Sequence, residues 1–261
     1  MTTANQRNEI DLTPYIGKGF GGNNDEAIAN TPVKGIDRAQ TQGMVRLCDA
    51  TEGTLYGPSY SPTRVKYRAG SRPELEKIVA GFDADTARGR VDQAARWVIA
   101  NVRHPHTEGP LPGDRGLSEE ELIESGRGWC NEQARVFIAL CEVMEIPARM
   151  CFLFHQNTRS GHATTEVYLD GRWVWCDQTF AMIVDRPDGK PAEARDLSGP
   201  MRELAHAAYQ PLLTRHYEHM HPFVEAFPGW NRNDRPAAEA GGDLMHEIGI
   251  VNYVIDGVEV A

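Results

Sequence analysis

The chain has 261 residues, of which 41% are hydrophobic and 25% charged, a balance that suits a folded globular body and excludes a largely disordered polymer. Its net charge of −10, from 37 acidic and 27 basic residues, opposes nonspecific nucleic-acid binding, which depends on clustered Lys and Arg. No apolar run approaches the roughly 18 residues of a membrane span, and the opening MTTANQRNEIDLTPYIG lacks the basic start and apolar stretch of a secretory signal.

The first seventy residues are rich in Gly, Asn, Thr and Pro and offer two short strand candidates, 43–47 and 63–67, with no recognisable chemistry. A stronger pattern begins at Arg72. Pro73 suits the first turn of a helix, and Leu75, Ile78 and Val79 give it one apolar face. Val91, Ala94, Ala95, Val98 and Val102 define a second helix. The stretch HPHTEGPLPGDRG (104–116) reads as a loop from its Pro and Gly content. Ser118 followed by Glu121 forms a capping-box pattern, opening a short helix that stops at Gly126.

Next comes GRGWCNEQARVFIALCEVMEIP, in which Ala134, Phe137, Cys141 and Met144 recur at helical intervals, with Pro147 marking the expected end. Three strand candidates follow: 148–154, 162–169 and 172–176. The last two are joined by Asp170-Gly171, a strong hairpin signal. Beyond Phe180 the pattern loosens, with a helix interrupted at Pro211 in 200–219, a loop over 222–242, and one or two strands in IVNYVIDGVEV.

The chemistry concentrates on three residues. Cys130 sits at the start of an apolar helix, where backbone N–H groups and the positive end of the helix dipole favour the thiolate, the reactive form of cysteine. The plainer role of a free cysteine, a small buried hydrophobe, suits Cys141 and Cys151, which lie on an apolar helix face and in an apolar strand. A two-residue turn at Asp170-Gly171 pairs Leu169 with Arg172, and counting outward sets Thr164 opposite Asp177. His162 shares the face of Thr164, which makes it a diagonal neighbour of Asp177 within side-chain reach. A carboxylate so placed fixes the tautomer of an imidazole and stabilises its charged form. Trp173, Trp175 and Tyr168 occupy the same face and indicate that it is covered. By alternation, Cys176 points the other way, into core.

The order Cys130, His162, Asp177, with local contexts GWCNEQARVFIALCEVMEIPARM, HATTEVYLDGRW and WCDQTF, resembles the transglutaminase-like superfamily over about residues 72–180. CNEQA and the Trp-Cys-Asp ending are also similar to the peptide N-glycanase branch. The resemblance implies an α+β fold of the papain-like/transglutaminase-like kind, with the cysteine helix packed on an antiparallel sheet. It also implies a Cys130–His162–Asp177 triad working through an acyl-enzyme. The expected activity is that of a cysteine-dependent hydrolase on an amide or related acyl bond, with acyl transfer as the alternative on the same triad. Two departures bear on the substrate. No CxxC pair supplies a glycanase-type zinc module, and Trp129 stands where animal-type transglutaminases carry glutamine. Neither glycan removal nor crosslinking therefore carries over.

The Cys130 backbone N–H is one expected oxyanion donor, and Trp97, Trp129 and Gln133 are candidates for the second. Glu132, in the first turn, complements the helix dipole. Two other classes of function compete. A non-catalytic binding domain on this fold would be expected to lack one of the three residues, and all three are present. A metal site would draw on His216, His219 and His221, or on His104 and His106, but no HExxH or CxxC pattern accompanies them. A solvated, His-rich segment is the simpler account.

The five cysteines, Cys48, Cys130, Cys141, Cys151 and Cys176, are odd in number and scattered, which leads to the expectation of reduced thiols in the cytoplasm. The chain is expected to divide into an N-terminal extension (1–71), a catalytic core (72–185) and a C-terminal extension (186–261), both extensions packing on the core. A small-molecule or peptide substrate is expected, with no cofactor, metal, nucleic acid or membrane. Nothing in the sequence fixes an oligomeric state.

Overall fold

A computed structural model describes residues 10–16, 43–104, 116–155, 160–197 and 247–260. The helix expected within 200–219, the loop 222–242, and His106, His216, His219 and His221 lie outside the described residues. Two short strands, β1 (Val45–Leu47) and β2 (Val65–Tyr67), fall within the stretches expected of them. Between them lies a helix that the sequence pattern does not announce, α1 (Asp49–Leu55). Its start is fixed by Thr51, whose hydroxyl accepts from the Cys48 N–H at 2.9 Å and donates to the Arg46 carbonyl at 2.6 Å. Its end is held by Leu55, which is fully buried.

Four more helices follow. Helix α2 (Pro73–Val79) carries Pro73 in its first turn and buries Leu75 and Val79. Helix α3 (Ala87–Asn101) is capped by the Thr86 hydroxyl, which accepts from the Gly89 N–H, and buries Val91, Ala94, Ala95 and Val98. Helix α4 (Glu119–Ser125) has the reciprocal cap read from the sequence: Ser118 Oγ accepts from the Glu121 N–H, and Glu121 Oε2 accepts from the Ser118 N–H. It ends at Gly126, whose φ of 67° suits a residue without a Cβ.

Helix α5 (Cys130–Val143) is the central element and is buried along its whole length from Glu132 to Glu142. The other helices cover its outer side and the sheet its inner side, so apolar residues run all round it rather than along one stripe. It stops four residues before Pro147. Glu145 takes a left-handed φ of 59°, and the Ile146 N–H closes the helix end on the Cys141 carbonyl at 2.9 Å.

Strands β3 (Ala148–His155), β4 (Ser160–Leu169), β5 (Arg172–Asp177), β6 (Met182–Ile183) and β7 (Glu247–Val251) join β1 in an antiparallel sheet of order β1-β7-β3-β4-β5-β6. Strand β8 (Val258–Val260) pairs separately with β2. Asp170 and Gly171 turn the β4–β5 hairpin with φ of 50° and 82°, and the register runs from Leu169↔Arg172 to Thr165↔Cys176 as the turn dictates.

Both faces of the sheet are covered. Met150, Ala163, Val167, Val174 and Cys176 pack with the helices, whereas Cys151, Leu153, Trp175, Ile248 and Ile250 pack with Leu55 of α1 and with a 3-10 turn, Ala194–Leu197. On this second face Arg149 and Glu166 form a fully buried ion pair, with Arg149 Nε 2.8 Å from Glu166 Oε2. Arg149 also donates to the Leu55 carbonyl, and Glu166 accepts from the Ala194 N–H. The charges are thereby satisfied while tying both covering segments to the sheet. The sequence and the fold thus agree on an α+β architecture with the Cys130 helix on an antiparallel sheet. No helix among the described residues is long and apolar enough to cross a membrane.

Candidate active site

Cys130 is the first residue of α5, half-buried, and follows Trp129 at the cap. Glu132 reaches back so that its carboxylate accepts from the Trp129 N–H at 2.8 Å, which satisfies a helix-end donor and sets the entry of the chain. The Trp129 ring stands edge-on to His104, ring centres 5.3 Å apart.

Asp177, at the end of β5, is fully buried. Its Oδ2 lies 2.8 Å from Nε2 of His162, and its Oδ1 accepts from the Thr179 N–H at 2.9 Å. Both oxygens are therefore fixed, and the carboxylate cannot rotate away from the imidazole. His162 is also hydrogen-bonded to Cys130. Since Nε2 faces Asp177, Nδ1 is left for the thiol. Burial pulls the imidazole pKa down, but the charge and hydrogen bond of Asp177, together with Cys130, outweigh it and push the value up to about 10. Phe180 packs against the ring with centres 5.9 Å apart, screening the His162–Asp177 contact from water.

Thiol and imidazole arrive from opposite sides of the sheet. Ala163 faces the helices, so His162 beside it faces the other way. The two meet because the β4–β5 ladder ends at Thr165↔Cys176, which opens a gap where Cys130 Sγ accepts from the Ala163 N–H at 3.4 Å.

The three residues expected as a triad are thus brought together. The candidates for a second oxyanion donor fare differently. Trp129 adjoins Cys130. Trp97 is partly buried against the helical core. Gln133 is buried and engaged as a bridge: its Nε2 donates to the Val102 carbonyl at 2.7 Å and its Oε1 accepts from Thr179 Oγ1 at 2.8 Å. Sequence reasoning passed over Gln178, Thr179 and Phe180, which support the site from the turn after β5. Counting the hairpin register one hydrogen-bonded pair further would have set Gln178 opposite Ala163.

None of the five cysteines is in a disulfide, and burial pushes the thiols of Cys141, Cys151 and Cys176 up, away from the reactive thiolate. No group of His, Cys, Asp and Glu suited to a metal ion occurs among the described residues.

Residues 75–178 match the model of the Transglutaminase-like superfamily, a stretch that contains Cys130, His162 and Asp177. Among solved structures the chain is similar to a proposed cysteine protease from Cytophaga hutchinsonii, at 28% identity and a TM-score of 0.34, over 41% of this chain and 37% of that one. It is also similar to a proposed protease from Parabacteroides distasonis, at 12% identity and a TM-score of 0.33, over 41% of this chain and 23% of that one. The chain thus spans well under half the length of either. Comparison with curated proteins finds no match.

Proposed function

We propose that this chain is a cysteine-dependent hydrolase of an amide or related acyl bond, with Cys130 as nucleophile, His162 as base and Asp177 orienting the histidine. The observation that carries the reading is the contact chain at the start of α5: Cys130 hydrogen-bonded to His162, and His162 2.8 Å from a doubly anchored Asp177. With the His162 pKa raised to about 10 by Asp177, the imidazole is protonated at neutral pH, and its positive charge beside Cys130 favours the thiolate.

The sulfur attacks the carbonyl carbon, forming a C–S bond as the carbonyl π pair moves to oxygen. The Cys130 backbone N–H at the first helical turn stabilises that oxyanion, with Trp129, its neighbour in sequence, as a side-chain candidate for the second donor. Collapse re-forms the carbonyl and breaks the bond to the leaving amine, which takes its proton from His162. Water, deprotonated by the now neutral His162, then attacks the thioester, and cleavage of the C–S bond restores the thiolate. The local likeness to the peptide N-glycanase branch favours an amide over an ester as the natural bond, without specifying a glycan.

The test combines labelling and trapping. Iodoacetamide at pH 6 should alkylate Cys130 ahead of the other four cysteines, and an activated ester such as p-nitrophenyl acetate should leave an acyl group on Cys130. Cys130→Ala should fold as the parent does and lose both signals. Equal labelling of Cys48 and Cys130, with no acyl adduct, would sink the proposal. Adding a primary amine to the turnover reaction separates the alternatives: dominance of the amide product at millimolar amine would assign acyl transfer in place of hydrolysis.

A further inference from the structure

The β4–β5 hairpin determines which backbone groups of β4 face its neighbour. In a ladder that starts from a two-residue turn, every second pair exchanges two N–H···O bonds. Here those pairs are Leu169/Arg172, Val167/Val174 and Thr165/Cys176, and the next in line would be Ala163/Gln178. The chain turns before that pair forms, with the Phe180 N–H donating to the Asp177 carbonyl at 3.3 Å. The N–H and C=O of Ala163 that would have met the Gln178 backbone are released. The N–H goes to Cys130 Sγ at 3.4 Å. The C=O accepts from the Gln178 side chain, Nε2 at 2.9 Å. The same nitrogen donates to the Cys130 carbonyl at 3.1 Å.

Resting on the reading of Cys130 as nucleophile, we infer that Gln178 is a positioning residue for the thiolate: its amide clamps the start of α5 to β4 and so aims the Ala163 backbone N–H at the sulfur. An N–H aimed at sulfur favours the thiolate over the thiol. The residue type fits the task closely. A carboxamide nitrogen carries two hydrogens for two carbonyl oxygens. Glutamate at neutral pH would present only acceptors to them, and asparagine is one methylene shorter.

The other end of the side chain points to the same role. Gln178 is fully buried, and its Oε1 has no hydrogen-bond partner among the described residues. An unpartnered buried acceptor is unfavourable. A methionine would fill the space without it, so packing alone does not account for glutamine here.

The experiment is the pH dependence of Cys130 alkylation by iodoacetamide in the full chain, followed by mass mapping of the modified peptide. Fold is checked by circular dichroism and thermal melting. Wild type should titrate well below an ordinary thiol. Gln178→Met should raise the midpoint by about one pH unit, a roughly tenfold loss of rate at pH 6. The limiting rate at high pH should stay at the wild-type value, which a merely structural role would not predict, while the Ala163 carbonyl, left without its donor, should lower the melting temperature of a still folded protein. Should the methionine variant fail to fold, Gln178→Asn, which keeps the amide but reaches less far, should show a smaller shift of the same sign. A low wild-type midpoint that is unchanged in a folded Gln178 variant overturns this inference alone. An ordinary thiol midpoint in wild type overturns the nucleophile reading beneath it.

Discussion

Glu142 lies three turns along α5 from Cys130 and carries a carboxyl group into the interior, where it is fully buried. Its Oε2 accepts from the Ile255 N–H at 2.9 Å, whereas Oε1 has no hydrogen-bond partner among the described residues. Burial pushes its pKa up from 4.5 to about 8; the Ile255 hydrogen bond opposes the shift and the nearby Glu119 adds to it. The sign follows from proton counting. Between pH 4.5 and 8 the unfolded chain has released this proton and the native protein still holds it. Stability therefore falls as pH rises through that window and levels off above it. At 1.36 kcal/mol per pH unit, the full loss is on the order of 5 kcal/mol. Glu142→Gln keeps an acceptor for Ile255 and never ionises. It should match wild type near pH 5 and exceed it by a margin that grows toward pH 9. Urea unfolding of both proteins at pH 5, 7 and 9 measures this through the denaturation midpoints. Parallel pH dependences in the two proteins would refute the argument, because a carboxyl that ionises freely in the native state adds no slope of its own.

Two further outcomes are expected. Asp177→Asn should cut turnover by about 10⁴-fold, as in a comparable triad, and should bring the His162 pKa down from about 10, measurable by NMR titration of the ring. Gly249→Ala should destabilise the sheet by about 1–3 kcal/mol, because a Cβ there would run into the buried Met44 side chain. Adding Met44→Ala should then cost less than the sum of the two single changes, and strict additivity of the melting data would show that the two residues do not compete for one space.

What the sequence disclosed was local in origin. The Asp170-Gly171 turn and the alternation on either side of it set the register that brings His162 near Asp177. The Ser118/Glu121 cap and Gly126 bounded a helix from seven adjacent residues. Features that depend on distant partners stayed hidden. Nothing within DATEGTL marks α1, whose Leu55 is held beneath a sheet face built from later strands. Met150 and Phe152 read only as strand residues, although Phe152 takes Gly249 as one neighbour and Ala163 as the other. The role of Gln178 depends on the residue at which β5 leaves the ladder, and periodicity within a strand does not specify where the strand ends.

The strand order has a consequence for how the protein is made. Among the described residues, strand β1, from residues 45–47, reaches the sheet through β7, from residues 247–251, and β2 is paired with β8, from residues 258–260. Synthesis proceeds from the N-terminus, so the β3–β6 meander and its helices leave the ribosome long before the strand that completes them. Until β7 arrives, the flank of β3 is an open edge able to recruit a strand from another nascent copy. Correct assembly is then a race between emergence of β7 and association with neighbouring chains. Slow translation through 198–246 would lengthen the exposed interval, and a chaperone that shields a strand edge would be most useful during it.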